Sequence, residues 1–163
     1  MDTLTKPPLN AVITSEELLN HWQGHRRLTR RVIEAFPDNE FFTFSIGGMR
    51  PFSALISELL AIAVPGLRQI AENSTETLNE HLETATSKEN VLKLWDAATA
   101  DIDRHWKLIP EQRFHDTILT FGQYEGTVWS SIFYFIDNEI HHRGQATVYL
   151  RALGIEPPYF WER

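Results

Sequence analysis

A chain of 163 residues, 42% hydrophobic and 23% charged, is long enough for one domain with its own core and short for two. Its net charge of −7 works against a nucleic-acid surface, which needs a basic stripe to neutralise phosphates. With no cysteine, the chain is barred from disulfides, thiolate metal sites and cysteine nucleophiles.

Residues 1–13 contain Pro7-Pro8, show little periodicity and read as an extended arm. No apolar stretch follows a basic patch there, as a signal peptide would require, and no apolar run approaches the roughly 20 residues of a membrane helix. The expectation is a soluble cytoplasmic protein with neither a membrane nor a nucleic acid as partner. Thr14-Ser15-Glu16-Glu17 marks a helix start, a hydroxyl cap followed by acids. Leu18, Trp22, Val32 and Phe36 then recur at helical spacing until Pro37-Asp38 ends the run. The basic cluster Arg26, Arg27, Arg30 and Arg31 reads as a solvated face of this helix.

Residues 38–50 form an aromatic, glycine-containing connector, and Pro51 suits the first position of a second helix. Phe52, Leu55, Ile56, Leu59, Leu60 and Ile62 give that helix an apolar face, and Pro65-Gly66 predicts a kink within it. Residues 73–87 are polar, with room for a short helical piece. A third helix is expected over 88–108, from Val91, Leu92, Trp95, Ala98, Ile102 and Trp106. Residues 113–124 read as extended or irregular. A fourth helix runs from about Thr127 to Leu153, stopped by Gly154 and Pro157-Pro158, and the aromatic tail 156–163 is expected to pack back on the body or on a partner chain. Four amphipathic helices with no persuasive β pattern predict an all-α four-helix bundle filling 1–163.

Within the fourth helix, Asp137-Asn138-Glu139-Ile140-His141-His142-Arg143-Gly144-Gln145 breaks an apolar run with polar groups. Asn138 and His142 are four apart and share a helix face, the way ligands are often presented. A stripe through Tyr134, Asn138, His141 or His142, Gln145 and Tyr149 faces solvent, pairs internally, or holds a metal or substrate. A metal needs ligands from more than one helix. Glu58 on the second helix and His25 of the His21/His25 pair on the first are the candidates. Their ordinary alternatives are an exposed helix acid and a core histidine with a local partner. His81, His105 and His115 show no useful spacing and read as surface residues. No phosphate loop or nucleophile elbow is present.

His141-His142-Arg143-Gly144-Gln145, with Arg50-Pro51-Phe52 upstream and Leu153-Gly154-Ile155 downstream, resembles the DinB-like family. That family takes its name from a DNA-damage-inducible bacterial protein and is related to bacillithiol- and mycothiol-dependent transferases. The resemblance spans about Ser15 to Gly154. It implies an up-down-down-up four-helix bundle, often a homodimer, with nickel or zinc held by three histidines. The family's ligand positions correspond here to Glu58, Asn138 and His142, so one histidine of three is kept. Such a set favours harder cations such as Mn, Mg or Fe over the zinc of three histidines. His25 would be a substitute nitrogen donor, and His141, Arg143 and Gln145 would support the ligands. A buried Glu58 would need His142 or Arg143 as its partner.

Two functions follow from the resemblance. One is a metal-dependent thiol transferase or hydrolase acting on a small molecule, with Ni, Zn, Mn or Fe bound by Glu58, Asn138 and His142. The other is a non-catalytic bundle that has lost the metal and binds a small molecule or dimerises. A role in DNA repair rests on the family name alone and runs against the acidic charge.

Overall fold

The computed structural model describes residues 12–80 and 86–163, which leaves most of the N-terminal arm and His81 outside the described residues. Helix α1 (Ser15–Ala35) starts at a capping box: Glu17 N–H donates to Thr14 Oγ1 at 3.1 Å, and Thr14 N–H donates to Glu17 Oε2 at 2.8 Å. Helix α2 (Asp38–Thr43) is a short helix inside the expected connector, and it seats Phe41 against Phe36 and Phe52. Helix α3 (Phe52–Glu72) runs unbroken through Pro65. Helix α4 (Lys88–Trp106) is capped by Ser87, and α5 (Val128–Ala152) by Thr127. At the end of α5, Gly154 takes φ +76°, with Ile155 N–H on Leu150 O and Gly154 N–H on Arg151 O, the paired bonds of a glycine-terminated helix.

The segment read as extended or irregular is a 3-10 turn (Glu111–His115) followed by a hairpin of β1 (Thr117–Thr120) and β2 (Tyr124–Thr127), paired antiparallel. Its pattern was too short and too exposed to announce strands. Residues 73–80 form no helix, and 81–85 of that stretch lie outside the described residues.

Two core clusters fix the direction of each helix. The first joins Leu18 and Trp22 of α1 to Leu67 and Ile70 of α3, Ile102 and Trp106 of α4, and Val128 and Ile132 of α5. It therefore contains the starts of α1 and α5 and the ends of α3 and α4. The second contains the opposite ends: Val32 and Ile33, Leu55 and Ile56, Val91 and Trp95, Ala146 and Leu150. Helices α1 and α5 thus run parallel to each other and antiparallel to α3 and α4. Each helix touches two neighbours, in the cyclic order α1–α4–α3–α5. This is the up-down-down-up four-helix bundle. Each fully buried Leu, Ile or Phe contributes about 1.5–3 kcal/mol by leaving water. Helix α3 is apolar and long enough by composition to cross a bilayer, and in this fold its apolar side chains are largely buried in the bundle.

Several readings of single residues change. Arg26 is not solvated: it is 1% exposed, its guanidinium lies 3.3 Å above the Trp95 ring, and it donates to Thr99 Oγ1 and Trp95 O. His105 is buried, with Nδ1 2.8 Å from Asp101 O. Trp129, Ile140 and Val148 lie on the outer side of α5. The tail aromatics Tyr159, Phe160 and Trp161 stay exposed and pack mainly on one another. The tail is instead tied to α1 through Arg31–Glu162 and through Arg163, which reaches His25 Nε2 at 3.1 Å.

Along the parallel α1–α5 seam runs a buried polar network centred on Glu139, which is 1% exposed. Trp22 Nε1 and the Thr29 hydroxyl donate to its two carboxylate oxygens at 3.4 and 2.6 Å, while Arg26 and Arg143 flank it at 3.7 and 3.9 Å. Removing the anion would strand two buried cations. Glu139→Ala is expected to cost about 3–5 kcal/mol in urea unfolding, with Glu34→Ala, a surface ion-pair partner of Arg30, costing under about 1 kcal/mol.

Candidate functional site

Because α3 and α5 are antiparallel neighbours, the second turn of α3 faces the middle of α5. This brings Glu58 to Asn138 and His142. Glu58 Oε1 receives Asn138 Nδ2 at 3.1 Å and lies 3.0 Å from His142 Nε2. Glu58 Oε2 accepts from Arg50 Nη2 at 2.5 Å. The other ring nitrogen of His142, Nδ1, is 2.9 Å from Gln145 Oε1, and Gln145 Nε2 rests on Met49 Sδ. Tyr149 donates to Arg50 O at 2.9 Å, pinning the segment before α3 across the end of the cluster. The carboxylate and imidazole are nearly enclosed, with side chains 11% and 6% exposed, whereas the Arg50 side chain is half-exposed. Burial pushes the Glu58 carboxyl upward, but the hydrogen bonds from His142, Arg50 and Asn138 outweigh it and hold it at about 2.

The structure thus joins Glu58, Asn138, His142 and Gln145 into one cluster. Arg143 does not partner Glu58. It turns toward α1, with Nη2 2.8 Å from His25 Nδ1 and Nη1 3.0 Å from Thr29 Oγ1. The reason is helical geometry: successive residues point about 100° apart, so His142 and Arg143 address different neighbours. His25 belongs to the Arg143 side, where its Nε2 meets His21 Nε2 at 3.2 Å and Arg163. Burial and the charge of Arg143 push His25 down to about 3, so it is neutral at physiological pH. His141 is exposed beside His142. Among the described residues, no group of three or more His, Asp or Glu side chains is arranged to hold a metal ion.

Sequence reasoning missed two participants. Arg50 was noted as part of a motif and not as the counter-charge of Glu58. Glu139 was passed over, although it continues the inward spacing of Ile132, Phe135 and Ile136 toward Arg143, which is the signal that would have found it.

One turn along the same seam, Ile62 (four after Glu58) and Tyr134 (four before Asn138) line a cavity of about 240 Å³, closed by Leu78, Phe121, Ser130 and Phe135. Helices α3 and α5 approach closely here because Gly66 leaves room: a Cβ at that position would meet Phe135 Cζ at 2.5 Å.

The fold and this seam define a helical bundle with a polar cluster and an adjoining cavity between two antiparallel helices. The DinB family model matches residues 2–162, and the chain belongs to the DinB family. Its fold is similar to that of a DinB-like protein from Bacillus cereus (TM-score 0.72, 15% identity, 88% of this chain and 95% of that one). It is likewise similar to a DinB-like protein, YjoA, from Bacillus subtilis (TM-score 0.71, 19% identity, 90% of this chain and 99% of that one). A comparison with curated proteins finds no match.

Two acid-sensitive groups yield distinct but overlapping pH windows. The folded-state value of Glu58 is depressed, so its contribution is present above the ordinary carboxylate value near 4.3 and is lost as pH falls toward about 2. Glu58→Gln is expected to lower stability by roughly 2 kcal/mol at neutral pH, a difference that closes by about pH 2 in denaturant titrations. The depressed value of His25 means that the unfolded chain takes up a proton below about 6.5 that the folded chain refuses until about 3. Stability should fall across that window by at most ~1.4 kcal/mol per pH unit, and His25→Gln should flatten the slope.

Proposed function

We propose that this DinB-family chain is a small-molecule-binding bundle in which a charge-balanced hydrogen-bonded cluster stands where the family resemblance implies a metal. The observation that carries this reading is the saturation of Glu58: one oxygen is taken by Asn138 and His142, the other by the guanidinium of Arg50.

The three-histidine nickel or zinc site does not fit these residues. Two of its three positions hold a carboxylate and an amide. A divalent ion bonded to Glu58 at roughly 2.0–2.2 Å would also lie against the Arg50 cation, which already neutralises that carboxylate. His142 has its second nitrogen on Gln145, as a metal-bound imidazole often would, but the same bond serves equally to orient the ring toward Glu58. The role left to the cluster is to close one end of the α3–α5 seam with a mutually hydrogen-bonded set of polar groups. The adjoining cavity, with Ile62, Phe121 and Phe135 in its wall, has the mixture of apolar surface and a few polar groups that suits a small ligand.

Purified protein incubated with Ni, Zn, Mn or Fe(II), desalted and analysed by mass spectrometry of the elements is expected to retain far less than one equivalent. Glu58→His combined with Asn138→His, which restores three imidazoles, is expected to gain stoichiometric Ni or Zn. Stoichiometric metal on the wild type that disappears in Glu58→Ala and His142→Ala would overturn the reading in favour of a metal-dependent transferase or hydrolase.

A further inference from the structure

We propose that the cavity between α3, α5 and the β1–β2 hairpin is a binding site for a small organic ammonium ion. The inference rests on the reading of the α3–α5 seam as a small-molecule site and names the class of ligand that the seam takes.

The lining chemistry points one way. Tyr124, Tyr134 and Phe121 contribute aromatic rings, and the two tyrosines are 57% exposed, so ring surface remains open to a ligand. Glu80 and Glu125 contribute carboxylates, both exposed and neither with an ion-pair partner among the described residues. Other acids near this end of α3 are already matched, Glu76 by Arg68 and Glu58 by Arg50. No lysine or arginine is among the described lining residues. Aromatic faces attract a cation through their quadrupole, and unmatched carboxylates attract it through charge. An anion would meet repulsion from every charged group in the wall.

The serine and threonine hydroxyls of the wall already have partners. Thr120 and Ser131 hydroxyls lie 3.0 Å apart, and Ser130 Oγ donates to Thr127 O at 2.8 Å. The site thus offers carboxylate acceptors and π surface, the complement of a ligand that brings positive charge and N–H or N–CH₃ groups. The Tyr134 phenol is pushed upward by burial and by the negative charge of Glu58 and Glu80, which places the same field at the cavity wall. A volume of about 240 Å³ suits a small amine.

The wall is also held in place. Phe121 adopts φ +55°, a left-handed conformation rare for an aromatic residue, and the residue is buried. Gln69 of α3 fixes it with two bonds, accepting from Phe121 N–H and donating to Leu119 O, both at 2.9 Å. Backbone strain of about 1–3 kcal/mol is thereby sustained at the hairpin tip that borders the cavity. The chain's net charge of −7 would favour the approach of a cation.

Calorimetric titration of the full chain at neutral pH and low salt with choline, with butylammonium and with 3,3-dimethylbutan-1-ol, the uncharged isostere of choline, tests this. At least one cation is expected to bind about tenfold more tightly than the alcohol. Tyr134→Leu, and Glu80→Gln combined with Glu125→Gln, all at exposed positions, are expected to bring the cation down to the alcohol's affinity. Equal binding of alcohol and cations would overturn the cation inference while leaving the small-molecule reading intact. Cation binding unchanged in those variants would place it elsewhere and overturn the site. If none of the three probes binds, the inference falls, and the metal measurement on Glu58 and His142 decides separately the reading beneath it.

Discussion

A buried carboxylate with two arginines organises this bundle. Glu139 sits on the inward side of α5 and gathers Trp22, Arg26 and Thr29 of α1, together with Arg143 from its own helix. Parallel neighbours such as α1 and α5 cannot be joined by a tight turn, so the register between them is left to side chains. Apolar packing tolerates some sliding, whereas a desolvated anion between two guanidiniums does not, because any shift leaves a charge unpaired in a low-dielectric interior. The same network reaches Trp95 and Thr99 of α4 through Arg26, and His25 and the chain's tail through Arg143 and Arg163.

With α1 and α5 locked, the opposite side of α5 is free to face α3, and there the chemistry differs. Glu58 is matched from three directions, by two side chains of α5 and by an arginine from the segment that enters α3. The cluster closes one end of the seam. The other end opens where Gly66 admits the ring of Phe135 and the hairpin leans in. Helix α5 thus carries two polar faces about 100° apart, Asn138 and His142 toward α3, Glu139 and Arg143 toward α1, and this alternation explains why its sequence is so poor in simple amphipathic pattern.

Much of the architecture was legible beforehand. Thr14 and Gly154 mark helix ends through local hydrogen bonding, and the 3–4 spacing of apolar residues marks the buried faces, because both act within a few residues of chain. The grouping of Glu58 with Asn138 and His142 came from a family motif, and the residues do meet. The short helix α2 and the hairpin were not legible: their stability comes from docking Phe41 on Phe36 and Phe52, and from Gln69 holding Phe121, contacts from elsewhere in the chain. Arg26 and His105 read as surface groups because charge usually stays in water; nothing near Arg26 in sequence revealed Trp95 as its partner, and the bond of His105 to Asp101 O one turn earlier could not show that this face of α4 is covered.

The sequence by itself determined the four long helices, the cap at Thr14 and the stop at Gly154, the family, and the positions that face one another across α3 and α5. All of these follow from local periodicity or from a family motif that survives around altered ligand positions. Only the tertiary structure decided how the charges are shared: that Arg50 rather than Arg143 answers Glu58, that His25 serves the α1–α5 network, and that Glu80 and Glu125 are left unmatched beside aromatic rings. Pairing of charge depends on distance in space, and residues separated by 80 positions or more acquire a distance only when the bundle closes.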